Sequence, residues 1–475
     1  MRSNDEQSAP TATGGLGTKR RPLSSPNSAR STEETSAPGQ VKALPPSTHW
    51  MAFIVFLLPF SAIMGRWMSV SPGAASYPYA HRVLVLGLGI WVAIDLISTK
   101  RQPLYLWLAV VFMLTSFTWG ILSVQWSADP ELGLQKTVGL VIQTVALAGL
   151  LKLIHRRPAD LMWLRYGIVA GAITVIGISV WEIRTSRHLS DLVGQPWLFS
   201  YRDFPIATFV NPNNLAVFLT FATAVSFSLM LSSKRIIPKA VFLTVIAGSG
   251  YMIVQAQSVG MLATFAMVVG VYLLWMLRRQ AGTVILVVLL GLTAVFSAAA
   301  LGKFSLESLF HRVVDENQMA SFDSRWITYR FGLKLFFDSY GLGIGPGSFE
   351  SYVNDVVWKV SKDQVPLVNP HNTILELLVS YGILVAVPII ILMVWAFVTI
   401  MRVLFTSKDE HTQLQALEAV TSTLVLLAGS LVASSLMIES TWWLNVAYVI
   451  AIATVVAGPQ TMMTGSEWEP TSLED

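Results

Sequence analysis

Cysteine is missing from the chain altogether, and charge is scarce: of 475 residues, 13% are Asp, Glu, Lys or Arg. The first lack excludes disulfides, thiolate nucleophiles and cysteine-held metals. The second excludes an ordinary soluble globular protein, which carries about twice that charged fraction. The seven histidines form no HxxxH pair, and no paired-carboxylate cluster stands beside them, so neither a metal site nor a cofactor is expected. Gly341-Leu-Gly343-Ile-Gly345-Pro-Gly347 lacks both GxGxxG spacing and a following Gly-Lys-Ser/Thr. Its glycines therefore read as a tight turn that needs positive φ, not as a nucleotide loop. A net charge of +4, with most cations in short loops, reports topology and implies no nucleic-acid partner.

What the chain has is apolar length. Apolar residues make up 53% of it, and its mean hydropathy is +0.58. Runs of 17 residues or more recur, each enough to cross a hydrocarbon core of about 30 Å as a helix. Open sheets are excluded in lipid, because their edges would stay unsatisfied. The expected fold class is an all-α polytopic membrane protein of about twelve transmembrane helices. The spans fall at 49–70, 82–98, 103–124, 133–154, 161–184, 212–232, 236–254, 257–277, 281–302, 373–401, 413–437 and 440–458. One long polar outer loop, residues 303–372, contains a short amphipathic helix.

Three segments follow. Residues 1–47, dense in Ser, Thr, Pro and Gly, read as a disordered cytoplasmic tail. Residues 48–459 are the transmembrane catalytic domain, and 460–475 form a cytoplasmic acidic tail. The tail is too polar for a signal peptide, so the first span is expected to stay as an anchor. Lys100, Arg101, Lys152, Arg156, Arg157, Arg165, Lys234, Arg235, Lys239, Arg278, Arg279, Arg402 and Lys408 all fall in inner loops if both termini are cytoplasmic. That bias sets the orientation and puts loops 185–211 and 303–372 outside, where nucleotide-borne donors are absent. Any donor must then arrive through the lipid.

Within the long loop, Trp326, Tyr329, Leu333 and Phe336/Phe337 recur at helical spacing over 325–339. This predicts an amphipathic helix on the outer membrane surface, capped by Asp323 or Ser324, with Arg325 in its first turn as an anion site. His371, in Asn369-Pro370-His371-Asn372, stands before Thr373-x-x-Glu376, which matches a capping box. The positive end of that helix would keep the imidazole neutral, as a general base requires. The alternative is an interfacial histidine that only hydrogen-bonds the loop. Arg325 and Arg202 suit a diphosphate leaving group through a bidentate, permanently charged fork; the alternative for each is snorkelling toward lipid headgroups. Arg187, Arg312, Arg330 and Lys334 are secondary candidates for the same role. Asn211-Pro212-Asn213 reads as a helix start, and Trp126-Ser127-x-Asp129-Pro130 as an interfacial anchor followed by one. Asp95 and Glu182, at span ends, mark no ion pathway.

Together these marks resemble the O-antigen ligase and polysaccharide polymerase superfamily of bacterial membrane glycosyltransferases. They are Trp126-Ser127 with Pro130; Arg202 followed by Phe209-Val210-Asn211-Pro212-Asn213; Ser324-Arg325-Trp326; Gly341, Gly343 and Gly345 with Phe349; and His371-Asn372 with Leu375, Glu376 and Gly382. The resemblance implies a GT-C-like fold that transfers a glycan from undecaprenyl pyrophosphate at the outer face of the cytoplasmic membrane. The acceptor is a hydroxyl on a glycan or a lipid-anchored molecule. His371 corresponds to the family's proposed base, and Arg325 and Arg202 to its pyrophosphate ligands. Arg330, Asn372, Glu376 and Asn213 are possible further site residues, and neither metal nor cofactor is implied. The Asn-Pro-His-Asn-x-x-x-Glu form and the long polar tail resemble Gram-positive polymerase-like members. One departure is Ser258-Val259-Gly260, where many members have Ser-Arg-Gly.

Two other classes fit a multi-span chain. A twelve-span secondary transporter of an envelope precursor or small solute tends to show matched halves and midmembrane charge, which this chain lacks. A scaffold of an envelope-assembly complex would depend on the loop as a whole more than on Arg325.

Overall fold

The computed structural model describes residues 49–68, 79–98, 102–189, 204–209, 211–278, 316–353, 370, 372–432 and 436–458. Both expected tails, the expected ninth span at 281–302, Arg202, Arg312 and His371 lie outside the described residues. Thirteen α-helices and no β-strand are present among those described.

They are α1 (His49–Met64), α2 (Ala80–Ser98), α3 (Leu104–Ser123), α4 (Pro130–Arg156), α5 (Leu161–Thr185), α6 (Pro212–Ser232), α7 (Ile236–Gln255), α8 (Val259–Leu277), α9 (Glu316–Asp338), α10 (Thr373–Tyr381), α11 (Ile383–Thr406), α12 (Glu410–Val432) and α13 (Ser440–Ala457). Nine of the described helices are long and apolar enough to cross a membrane. Consecutive spans pack as neighbours, α3 on α4, α6 on α7 and α12 on α13, as short connections dictate. The expected tight hairpins around 103–154 and 236–277 are present. Centre and rim differ in burial: α6 and α13 are buried over 83% of their apolar windows, α8 over 22%.

Because lipid is as apolar as the helices, close packing has to hold such a bundle together. Gly167 and Gly171, one turn apart on α5, face α1; a Cβ on either would come within 2.3 Å of Phe56 O or Ile63 Cδ1. The alternating chain direction gathers the span ends into two sets. One, the cation-rich end, carries the Lys/Arg loops. The other, the motif end, carries Trp126-Ser127, Asn211-Pro212, the glycine run and Asn372.

Three expectations about the motif end are corrected. The span 373–401 is not one helix. It breaks at Gly382, whose φ of +74° no β-carbon would tolerate there, because backbone atoms of Gly341 and Leu342 lie within 2.5 Å of where it would sit. The loop helix begins at Glu316, well before the expected start at 325. Asp323-Ser324 looks like a local cap, but Glu316–Ala320 are mostly good helix formers and carry the helix through it. Arg325 therefore lies inside α9 rather than at its N-terminus. Finally, Asn372, not Thr373, caps α10: its side-chain oxygen accepts from Leu375 N at 3.1 Å.

The amphipathic reading of α9 holds in part. Trp326, Leu333 and Phe337 are exposed. Tyr329 and Phe336 instead pack on a small second core of Leu335, Ile344, Phe349, Val353, Leu375 and Val379.

Candidate functional site

Three motif helices start by the same local chemistry at the same end. Asp129 accepts from Leu132 N at 3.0 Å, Asn211 from Asn213 N at 2.7 Å, and Asn372 from Leu375 N. In α4 and α6 proline follows at the first helical position, where its missing N–H costs nothing. The helix-start readings of Asp129-Pro130 and Asn211-Pro212 are borne out.

A strap of backbone locks these starts together. Gly341, Gly343, Gly345 and Gly347 all have φ between +74° and +88°, as a tight turn of glycines predicts. A Cβ on Gly343 would come within 2.7 Å of Gly382 N, and one on Gly345 within 2.9 Å of Ser123 O. The strap pairs Ile344 N with Val379 O (2.8 Å), while Ile383 N donates to Gly341 O (2.9 Å). Trp126 Nε1 donates to Gly343 O at 3.1 Å, and Ser127 Oγ to Pro346 O at 2.6 Å. Trp126 is thus more than the interfacial anchor expected of it. The Trp-Ser, glycine and Gly382 motifs form one backbone-bonded assembly with a structural role.

The turn between α12 and α13 is where the chemistry-bearing motifs meet. Arg325 reaches it from α9: Nη1 donates to Leu431 O and Nη2 to Val432 O, each at 3.2 Å. These are end carbonyls of α12, where a cation is favoured. Burial pulls the Arg325 guanidinium below its ordinary value, yet arginine stays charged at any working pH. At the start of α8, Gly260 admits Val432, whose Cγ2 is 2.5 Å from where a Cβ would lie. The departure at Ser258-Val259-Gly260 therefore sits against the side chain of Val432, the residue whose carbonyl accepts from Arg325. Farther along the turn, Leu436–Ile438 packs on α10. From α6, Asn214 Nδ2 donates to Glu439 Oε1 at 3.2 Å, and from α4, Gln143 Nε2 donates to Ser440 Oγ at 2.8 Å.

Among the sequence-predicted residues, Arg325 and Asn372 are thus brought to elements that share this turn. Pro370 and Glu376 are buried beside Asn372; Arg330 is exposed on α9, and Asn213 is half-buried in the first turn of α6. His371 and Arg202 lie outside the described residues. Glu439 was missed. Its signal was there to read, a lone carboxylate between the last two apolar runs, since such groups are costly near lipid and tend to serve a site.

Beside the turn a cavity of about 610 Å³ opens between α1, α2, α4 and the start of α13. Arg82, Lys136, Gln135, Gln143 and Glu439 supply its polar wall, and Leu132, Ile142 and Phe209 part of its apolar one. No ion pair involves Arg82 or Lys136 among the described residues.

Comparison with known proteins agrees with the motifs. Residues 243–390 match the family described as O-Antigen ligase. That match covers Arg325, Arg330, His371, Asn372 and Glu376 but not Arg202 or Asn213. Over 428 residues the chain is 21% identical to the teichuronic acid biosynthesis protein TuaE of Bacillus subtilis (strain 168), covering 87% of this chain and 86% of that protein. The resemblance to the O-antigen ligase and polymerase superfamily is borne out, and the apolar helices are those of an integral membrane protein.

Proposed function

We propose that this protein transfers a glycan from undecaprenyl pyrophosphate to an acceptor hydroxyl at the outer face of the cytoplasmic membrane, with both termini in the cytoplasm. It does so as a ligase or as a polymerase of cell-envelope polysaccharide. The observation that carries the reading is the convergence on the α12–α13 turn of Arg325, the helix that follows His371, and the Asn211-Pro212-Asn213 helix. The family match over 243–390 and the name of the B. subtilis relative support a glycan polymer as product.

His371 takes the proton of the acceptor hydroxyl. The oxygen attacks the anomeric carbon opposite the diphosphate, the carbon–oxygen bond to the diphosphate breaks, and the electron pair leaves with it. One displacement inverts the anomeric configuration. Arg325 and Arg202 bind the departing charge; such fixed electrostatic stabilisation is worth about 10²–10³-fold per donor. A positioned base adds about 10²–10⁴-fold. His371 immediately precedes the Asn372 cap of α10 in sequence, and a helix N-terminus disfavours a charged imidazole beside it.

The test is transfer from lipid-linked glycan by purified protein in nanodiscs. His371→Ala is expected to retain the melting temperature and lose product by at least about 10²-fold. Near-normal product from that variant would overturn the assignment. Solute uptake by the protein in liposomes, without glycan transfer, would instead support the transporter reading.

A further inference from the structure

The cavity beside Glu439 holds two cations that no carboxylate among the described residues pairs with. Arg82 and Lys136 are both half-buried, and neither forms an ion pair among the described residues. The Arg82 guanidinium lies over the Tyr79 ring at 4.7 Å, and its buried Nε has no hydrogen-bond partner among the described residues. A buried donor left unmade costs about 1–3 kcal/mol, so such a group marks a missing acceptor. Deeper in, a pocket of about 10 Å³, the size of one water, shares Ala62, Gln143 and Ser440 with the cavity. It is also lined by His81, which is 2% exposed. Ser61 Oγ sits 3.2 Å from His81 Nδ1, and Nε2 has no partner.

We infer that this cavity binds an acidic sugar, a carbohydrate unit bearing a carboxylate or phosphate, with Arg82 and Lys136 on the acid group. The inference rests on the glycan-transfer reading and adds the class of glycan. The size fits, since small-ligand sites run about 300–1,000 Å³. So does the mixture of walls. Leu132, Ile142 and Phe209 offer apolar surface to a sugar face, and Gln135, Gln143 and Glu439 offer acceptors for hydroxyls. A bare diphosphate would set its charge in the same cavity as the Glu439 carboxylate, whereas a sugar presents hydroxyl donors to it. The site is distinct from Arg325, whose Nη groups are on α12 carbonyls.

Binding to the full-length protein in nanodiscs tests this, read by calorimetry with four probes. These are a glucuronate-containing disaccharide, its counterpart carrying a sugar phosphate, the neutral glucose counterpart, and inorganic pyrophosphate. One or both acidic disaccharides should bind at least about tenfold tighter than the neutral one, the worth of a charge-assisted contact. Arg82→Gln and Lys136→Gln should each abolish that preference, and Arg82→Lys should keep part of it. Melting temperatures are expected to change little, since neither cation has an ion-pair partner to lose among the described residues and Arg82 loses only its contact with the Tyr79 ring. Equal binding of acidic and neutral probes, or preference unchanged in both Gln variants, overturns the inference. So does pyrophosphate binding that is lost in Arg82→Gln while neither acidic disaccharide binds. Transfer by wild type, offered both an acidic and a neutral lipid-linked glycan, is measured alongside. If it transfers neither, the transfer reading falls, whereas failure of the binding assay alone removes only the acidic-sugar site.

Discussion

The two ends of the helical bundle treat positive charge in opposite ways. At the cation-rich end, the described lysines and arginines that are not fully exposed are each matched to a carboxylate. Lys152 lies 2.7 Å from Asp95, Arg157 3.2 Å from Asp160, and Arg165 2.5 Å from Glu418. The exposed Arg156 also pairs with Asp95, and Tyr448 bonds to Glu418 as well. At the motif end, the half-buried cations Arg82, Lys136 and Arg325 have no carboxylate partner among the described residues. One end uses its charge to hold helices together. In the proposed reaction the other end would offer its charge to an anion outside the protein, since cations already neutralised by carboxylates could not stabilise a departing diphosphate.

The largest effect is expected at Arg165–Glu418. Arg165→Met leaves a buried carboxylate without its partner, an error that costs about 3–5 kcal/mol. Thermal unfolding of the purified protein should show most of the stability gone, with the double variant Arg165→Met/Glu418→Leu recovering much of it. A wild-type melting curve for the single variant would show that the pair carries no such weight.

The strap comes next. Gly343→Ala forces a side chain into a left-handed backbone against Gly382, with strain of order 1–3 kcal/mol plus the clash. Transfer activity should fall sharply, and protease should cut the 339–353 region faster than in wild type. Unchanged activity and cutting would detach the strap from the site. A milder loss is expected from Trp126→Phe, which removes the bond to Gly343 O and should cost about 1 kcal/mol in thermal unfolding.

The smallest effect tests the exposed rim of the cation-rich end. Asp409 caps the start of α12 through Thr412 N (2.9 Å) and the Thr412 hydroxyl (2.6 Å), and that side-chain bond, with the backbone one, holds its carboxyl below the usual range. A depressed folded value means the contribution is fully present above the ordinary carboxylate value and is lost as pH falls through the lowered one. Asp409→Asn should flatten the acid limb of stability slightly; a steeper limb would reverse the sign.

The sequence made much of this visible, but unevenly. Apolar runs located the spans because a bilayer demands length and composition, and Asx-Pro pairs located two helix starts. Lys/Arg bias grouped the cation-rich loops. What stayed hidden depended on long-range pairing. Nothing local says that Trp126 donates to Gly343, more than two hundred residues away, or that Gly382 must break a 29-residue apolar run to receive Gly341. Asp323-Ser324 carried a cap signal that stronger helix formers upstream overrode. Arg325 stood out in the sequence as a charged residue of the long loop, yet its two bonds to α12 carbonyls needed coordinates. Glu439 was legible as an oddity and was passed over, because a single carboxylate at a span end has many ordinary explanations.

Arg325 offers the most direct test of the central contrast, since it is charged, unpaired by carboxylate and joined to the α12–α13 turn. Turnover of lipid-linked glycan and melting temperature should be measured on the same preparations of wild type and Arg325→Gln. Turnover should fall by at least about 10²-fold, with stability lowered by no more than the about 1–3 kcal/mol that its two carbonyl bonds are worth. A variant that melts far lower, or that turns over donor like wild type, would contradict it.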